Sequence, residues 1–177
     1  MFYMDGQILL FIQEHLRNAV CDVFFKNITH LGDAGIFWIL LTVAMLCFKQ
    51  TRKAGIYSAC ALILSLIVNN IILKNLVGRV RPYEFVEGLQ CIVGPAHDAS
   101  FPSGHTGASF ASAVAIYKQI PKKFAVFFIV LASLIAISRL YVGIHYPTDV
   151  LGGLVTGIGI GLVVNIVGER VRVPKQA

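Results

Sequence analysis

The stretch Ile137-Ser138-Arg139-Leu140-Tyr141-Val142-Gly143-Ile144-His145-Tyr146-Pro147-Thr148-Asp149 decides how this chain is read. It places an arginine, a histidine and an aspartate between two apolar segments, where hydrocarbon neighbours make charge costly. A charge at the centre of a bilayer costs roughly 2.5–3.5 kcal/mol on insertion scales. Such residues are kept where they act or where they reach a wet rim. His145 and Asp149 are four positions apart, so one helical turn brings a carboxylate beside an imidazole. That pairing holds one tautomer and makes the other ring nitrogen a better nucleophile or base.

Working outward, the 177 residues are 56% hydrophobic and 14% charged, with a mean hydropathy of +0.75. Soluble proteins carry about 25% charged residues, so the composition is that of an integral membrane protein. The net charge of +6 raises nucleic acid as a partner, but the placement of the charge argues against it. Lys49, Arg52 and Lys53 form one cluster, Lys118, Lys122 and Lys123 a second, and Arg170, Arg172 and Lys175 a third. Each falls between apolar segments or at the tail. With five spans these share one side, which holds nine basic residues against Glu169 alone; the other side has six basic and eight acidic residues. This is the positive-inside pattern, and it makes the clusters cytoplasmic topology signals. Cys21, Cys47, Cys60 and Cys91 have no metal-ligand spacing. Cys47 and Cys60 are expected as small core residues, while Cys21 and Cys91 fall on the outer side, where a pairing is open.

The amino-terminal segment lacks the basic start and continuous apolar core of a cleavable signal. Ile8, Leu9, Phe11, Ile12 and Leu16 alternate with Gln13, Glu14 and Arg17 at helical spacing. Residues 1–30 are therefore expected to form one or two amphipathic helices in the membrane interface. A first span there is the alternative, opposed by Glu14, Arg17, Asp22 and Lys26. Spans are expected over Leu31 to Phe48, Ala54 to Leu73, a helix starting near Ser103, Phe124 to Ile137, and Pro147 to Val167. The third has a small-residue face of Gly104, Ala108, Ala111 and Ala115; in the fifth, Gly153, Gly157 and Gly161 repeat every four residues, a stripe suited to close helix packing. The expected fold is an all-α integral membrane bundle: about five transmembrane helices in residues 31–168, interfacial helices before them, and a cytoplasmic basic tail over residues 169–177.

Three polar groups then share the outer rim. Lys74 and Arg81, seven apart and so nearly two helical turns, are expected to share a face, and two converging cations suit an oxyanion; snorkelling at a helix end is the alternative account. Phe101-Pro102-Ser103-Gly104-His105-Thr106-Gly107 opens a helix whose free N–H groups suit an anion, with His105 placed to donate a proton. An N-capping Ser103 beside a chance histidine is the alternative there. In the opening stretch, Arg139 adds a cation and His145 a nucleophile oriented by Asp149; a structural Arg139–Asp149 ion pair is the alternative. Together the groups fit phosphoryl transfer in which cations and amides stabilise the transferring oxygens. Neither a carboxylate cluster suited to magnesium nor a Walker-type loop occurs in the sequence, so no metal and no cofactor are expected.

Lys74 with six residues before Arg81-Pro82, then Pro102-Ser103-Gly104-His105, then Ser138-Arg139 with five residues before His145 and three before Asp149, resembles the type 2 phosphatidic acid phosphatase superfamily. The resemblance implies a metal-independent phosphatase acting through a phosphohistidine. By that likeness His145 attacks phosphorus, Asp149 orients it, and His105 protonates the leaving oxygen. Lys74, Arg81, Arg139, Ser103 and the Gly104 amide would bind the phosphoryl group; Arg79 lies outside the motif. Membrane members commonly have six spans, so the first of these is expected to be missing here, and the amphipathic segment is expected to cover part of that flank. The expectation is a lipid phosphatase of the bacterial plasma membrane with an extracytoplasmic site. Undecaprenyl diphosphate is its leading substrate, and phosphatidate, phosphatidylglycerol phosphate and lipid A phosphates are competitors. The loop from Glu84 to Ser100 is expected to help select the head group. A lipid transporter or scramblase, a vanadate-using oxidative relative and an inactive lipid-binding module are the rival classes.

Overall fold

In the computed structural model, which describes residues 2–171, the regular elements among the described residues are all helices. Arg172 and Lys175 of the third basic cluster lie outside the described residues. Two helices, α1 (Phe2–His15) and α2 (Ala19–His30), precede α3 (Ile36–Cys47). Asn18 caps α2 by accepting from the Cys21 N–H at 3.0 Å. The long second hairpin arm begins as α4 (Arg52–Ser65), loosens into a π-helical stretch over Leu66–Leu73, and finishes as α5 (Lys74–Val77). Gly78, at φ 59°, ends that helix in the left-handed region that glycine adopts without a steric cost. A short α6 (Pro82–Phe85) and a long loop lead to α7 (Gly104–Ile116), α8 (Lys122–Tyr141) and α9 (Pro147–Arg170).

The centre of the bundle is α7, packed against α9, α4 and α8. Small residues make this possible. A Cβ on Gly153 would lie 2.6 Å from the Ser103 carbonyl oxygen, one on Gly157 2.6 Å from that of Gly107, and one on Gly161 2.7 Å from Val114 Cβ. The glycine stripe of α9 thus seats its backbone directly on α7. Buried hydroxyls add hydrogen bonds between helices: Trp38 Nε1 donates to Ser109 Oγ at 2.8 Å, and Ser58 Oγ links Thr42 at 2.5 Å and Ser112 at 2.7 Å. Where the surroundings are hydrocarbon, such packing and bonding hold helices together in place of the hydrophobic effect.

The outward faces are apolar. Leu40 and Val43 of α3, Ile63 of α4, Phe127 and Val130 of α8 and Val155 and Leu162 of α9 are exposed large hydrophobics, a surface suited to lipid. Cys47 and Cys60 belong to this surface: both are exposed, which corrects their expected place in the core. Their sequence neighbours are apolar because the outer face is itself apolar. Cys21 and Cys91 are free thiols.

Among the described residues, α8, α9 and the arm from Arg52 to Phe85 are long and apolar enough to cross a membrane, and α2 with the Asp33–Cys47 segment forms a fourth candidate bent by 45°. With 13 residues, α7 is short for a span; at 1.5 Å per residue it rises roughly 20 Å against a hydrocarbon core of about 30 Å. The chain is an integral membrane protein in which this short helix is enclosed by longer ones. The basic turns gather at one end, where Met45, Ala54 and Ile116 pack together and Lys118 lies 3.5 Å from Glu169.

A leucine at position 157 has to push α7 and α9 apart, whereas Gly159 faces open space. Gly157→Leu is expected to destabilise the protein by about 1–3 kcal/mol, seen as a lowered Tm in detergent, and Gly159→Leu to leave Tm nearly unchanged. Equal shifts would remove the close approach as the packing determinant.

Candidate active site

The other end of the bundle encloses a cavity of about 590 Å³. Lys74, Arg81, Gly104, His105, Arg139 and His145 all line it, although they come from four separate parts of the chain. Asp149 stands behind His145, fully buried.

The His145–Asp149 pair arises at a helix start. Pro147 opens α9, and Asp149 in its first turn folds back to accept the Tyr146 N–H at 2.9 Å through Oδ2. The same Oδ2 lies 3.5 Å from His145 Nδ1 and accepts from Ser100 Oγ at 2.5 Å. Asp149 therefore caps the helix and orients the imidazole with one oxygen. Its other oxygen, Oδ1, accepts from Arg79 Nη1 at 2.6 Å. Arg79 Nη2 reaches Asp5 of α1 at 2.9 Å, and the guanidinium lies 3.9 Å from the centre of the Tyr146 ring. The buried aspartate is thus partnered by Arg79; the Arg139–Asp149 ion pair weighed from sequence does not form.

His145 Nε2 points the other way, 3.1 Å from Arg81 Nη1. An arginine cannot accept a proton, so this contact requires a lone pair on Nε2 and the proton on Nδ1, facing Asp149. Burial pushes the His145 imidazole down to about 3; the bond to Asp149 opposes this, and the Arg139 and Arg81 charges reinforce it. The residue lies in the turn between α8 and α9 as a neutral imidazole near neutral pH, with its Nε2 lone pair held by Arg81.

Lys74 and Arg81 converge for a different reason from the one their spacing suggested. The helix ends at Val77, Gly78 turns the chain, and Arg81 sits in extended conformation before α6. They do not share a helical face; the turn brings Arg81 back towards Lys74. Both hold the carboxylate of Asp98, which lies on the loop before α7: Lys74 Nζ binds Oδ2, and Arg81 Nη2 donates to Oδ1 at 2.5 Å. Burial alone would raise the Asp98 carboxyl, but hydrogen bonds and charge from Lys74 and Arg81 outweigh it and hold the group at about 2. Arg139, buried at the end of α8, donates to Thr29 of α2 at 2.5 Å.

At the start of α7, Ser103 is the N-cap, with its hydroxyl accepting from the Thr106 N–H at 3.4 Å and the Thr106 hydroxyl at 3.0 Å. Ser103 is fully buried behind the cavity, whereas Gly104 and His105 open onto it. His105 Nε2 is 3.0 Å from Asp33 Oδ1. Residues that the sequence reading passed over thus include Asp5, Asp33, Asp98 and Ser100, and Arg79 gains a defined place. No local pattern marks them, because the site residues they meet are 17 to 74 positions away.

Residues 54–172 match the family model described as the PAP2 superfamily. The chain is 34% identical over 146 residues to Undecaprenyl-diphosphatase BcrC of Bacillus subtilis, covering 82% of this chain and 74% of that protein. It is 33% identical over 120 residues to an undecaprenyl-diphosphatase of Sulfolobus acidocaldarius, covering 68% of this chain and 58% of that relative's length. Among solved structures, it is similar to the first transmembrane PAP2 type phosphatidylglycerolphosphate phosphatase from Bacillus subtilis. That likeness has a TM-score of 0.78 at 26% identity and covers 98% of this chain and 88% of the other.

Asp98 places a carboxylate on two of the cations that line the cavity, so an entering oxyanion has to displace it. Asp98→Asn is expected to lower the Kd for inorganic phosphate about tenfold, the equivalent of about 1.4 kcal/mol and near the worth of one charge-assisted hydrogen bond. Phosphorus NMR titration of the detergent-purified protein measures this, and an unchanged or raised Kd would show that Asp98 does not compete with anions.

Proposed function

This chain belongs to the PAP2 superfamily, and from that premise we propose that it is a lipid phosphatase working through His145. The observation that carries the reading is the convergence of Lys74, Arg81 and Arg139 on the cavity into which His145 Nε2 presents its lone pair, with Asp149 behind the ring. Three cations offset the charge of a phosphoryl group and of its transition state. His145 Nε2 attacks phosphorus to give a phosphohistidine. His105 protonates the leaving oxygen, and water then attacks phosphorus and releases phosphate. The N–H of Gly104 adds a donor at the amino terminus of α7. Ser103 acts as the cap that holds this terminus in place, in line with its buried hydroxyl. With the charge supplied by side chains, the step requires no metal ion.

A lipid substrate is supported by the cavity's apolar wall. Ile39 of α3 and Ile63 and Leu66 of the facing arm line it and are also exposed on the outer surface, so the cavity is continuous with the face suited to lipid. A phosphate or diphosphate head would lie among the cations and its acyl or prenyl tail along this wall. Undecaprenyl diphosphate is the leading substrate, favoured by the two relatives described above. Phosphatidylglycerol phosphate, phosphatidate and lipid A phosphates compete. The basic turns at the far end support an extracytoplasmic site by the positive-inside rule, with α1 in the interface beside it.

The deciding experiment is phosphate release by the detergent-purified protein with a strong chelator present, comparing undecaprenyl diphosphate, phosphatidate and phosphatidylglycerol phosphate. Release from one of them is expected, falling at least about a thousandfold in His145→Ala. Loss of release on chelation, restored by magnesium, would overturn the mechanism, and transport of lipid that survives His145→Ala would favour a transporter. Asp149→Asn is expected to slow turnover far more than it weakens lipid binding; equal losses would make Asp149 purely structural.

A further inference from the structure

We infer that Asp33 is the positioning residue for His105, so that the site contains a second histidine–aspartate pair, on the leaving-group side. The inference rests on the phosphatase reading above, and three observations on one turn carry it. Asp33 Oδ1 is 3.0 Å from His105 Nε2, while its other oxygen is held at 2.7 Å by His30 Nδ1. Gly32 presses its backbone against the same ring: a Cβ there would fall 2.4 Å from His105 Cδ2. Ala34 adopts φ 49°, a left-handed conformation uncommon for a residue with a side chain, and Gly35 follows at φ 69°. The strained turn that joins α2 to α3 thus delivers a carboxylate to one ring nitrogen and packs backbone against the ring. Backbone outliers of this kind gather where the surrounding structure enforces a working geometry.

The chemistry follows from which nitrogen is engaged. With Nε2–H bonded to Asp33, the remaining nitrogen, Nδ1, carries the proton to be delivered. As His145 Nε2 bonds to phosphorus, the bond from phosphorus to the leaving oxygen breaks. Its electron pair stays on that oxygen, which takes the Nδ1 proton of the His105 imidazolium. In the second half the neutral imidazole accepts a proton from water as the water oxygen bonds to phosphorus. The phosphorus–nitrogen bond then breaks and its electron pair returns to His145. A carboxylate on Nε2 favours the protonated ring that the first step needs, against the burial and cations that disfavour it, as an orienting aspartate does for a base. Asp33 does not touch the phosphoryl group; it acts through His105.

The test uses leaving groups. An alkyl or prenyl alcohol leaves slowly without a proton, whereas nitrophenolate leaves unprotonated. In the full-length protein, Asp33→Asn is expected to lower kcat about tenfold to a hundredfold on a lipid alkyl phosphate and by less than about threefold on p-nitrophenyl phosphate. His105→Ala is expected to show the same selectivity, and adding Asp33→Asn to it should cost nothing more on the alkyl substrate. Equal losses on both substrates, no loss on either, or a further loss in the double variant would each overturn the role of Asp33 and leave the phosphatase reading standing. A wild-type protein inactive on every lipid would overturn that reading, and this inference with it.

Discussion

The contact between the backbones of α7 and α9 is the constraint on which the rest of the structure depends. Because Gly153 has no side chain, the Ser103 carbonyl can approach the position its Cβ would take, and the Ser103 N–H donates to the Asp149 carbonyl at 3.0 Å. The starts of the two helices are therefore fastened to each other. One carries His105 and the Gly104 amide, the other follows His145 and carries Asp149. A bulkier α9 would separate the two histidines before it affected either motif.

Charge is the second theme, since this end of the bundle buries far more of it than an apolar protein tolerates unpaired. Arg79 answers Asp149 and Asp5, so the amino-terminal helix is tied to the aspartate that stands behind His145. Arg81 and Lys74 answer Asp98. Two of the cations facing the cavity, Lys74 and Arg81, are balanced by a loop carboxylate with an exposed side chain, whereas Asp149 behind His145 is balanced by the largely buried side chain of Arg79. A solvent-exposed partner for the first group and a largely buried one for the second suit a site that exchanges anions while His145 stays in register.

Much was legible without coordinates. The apolar composition, the basic turns and the glycine repeat describe a membrane bundle, because each is a property of residue type and period. The motif residues Lys74, Arg81, His105, Arg139, His145 and Asp149 were legible because charged groups between apolar segments are costly and therefore informative. The outward place of Cys47 and Cys60 was not, since an apolar neighbourhood in sequence looks the same whether it faces lipid or the core.

Sequence by itself determined the class of fold, the helices that meet at one rim and the residue types able to carry phosphoryl transfer, since these follow from hydropathy, helical period and local capping. Tertiary structure alone decided which charges pair. Only folding sets Arg79 on Asp149, Asp98 on Lys74 and Arg81, and Asp33 on His105. Only the chain reversal at Gly78, in place of a continuous helix, brings Arg81 to Lys74. The physical reason is range: propensity and spacing act over a few residues, whereas a buried charge selects its partner from whatever the packed helices bring within about 3 Å.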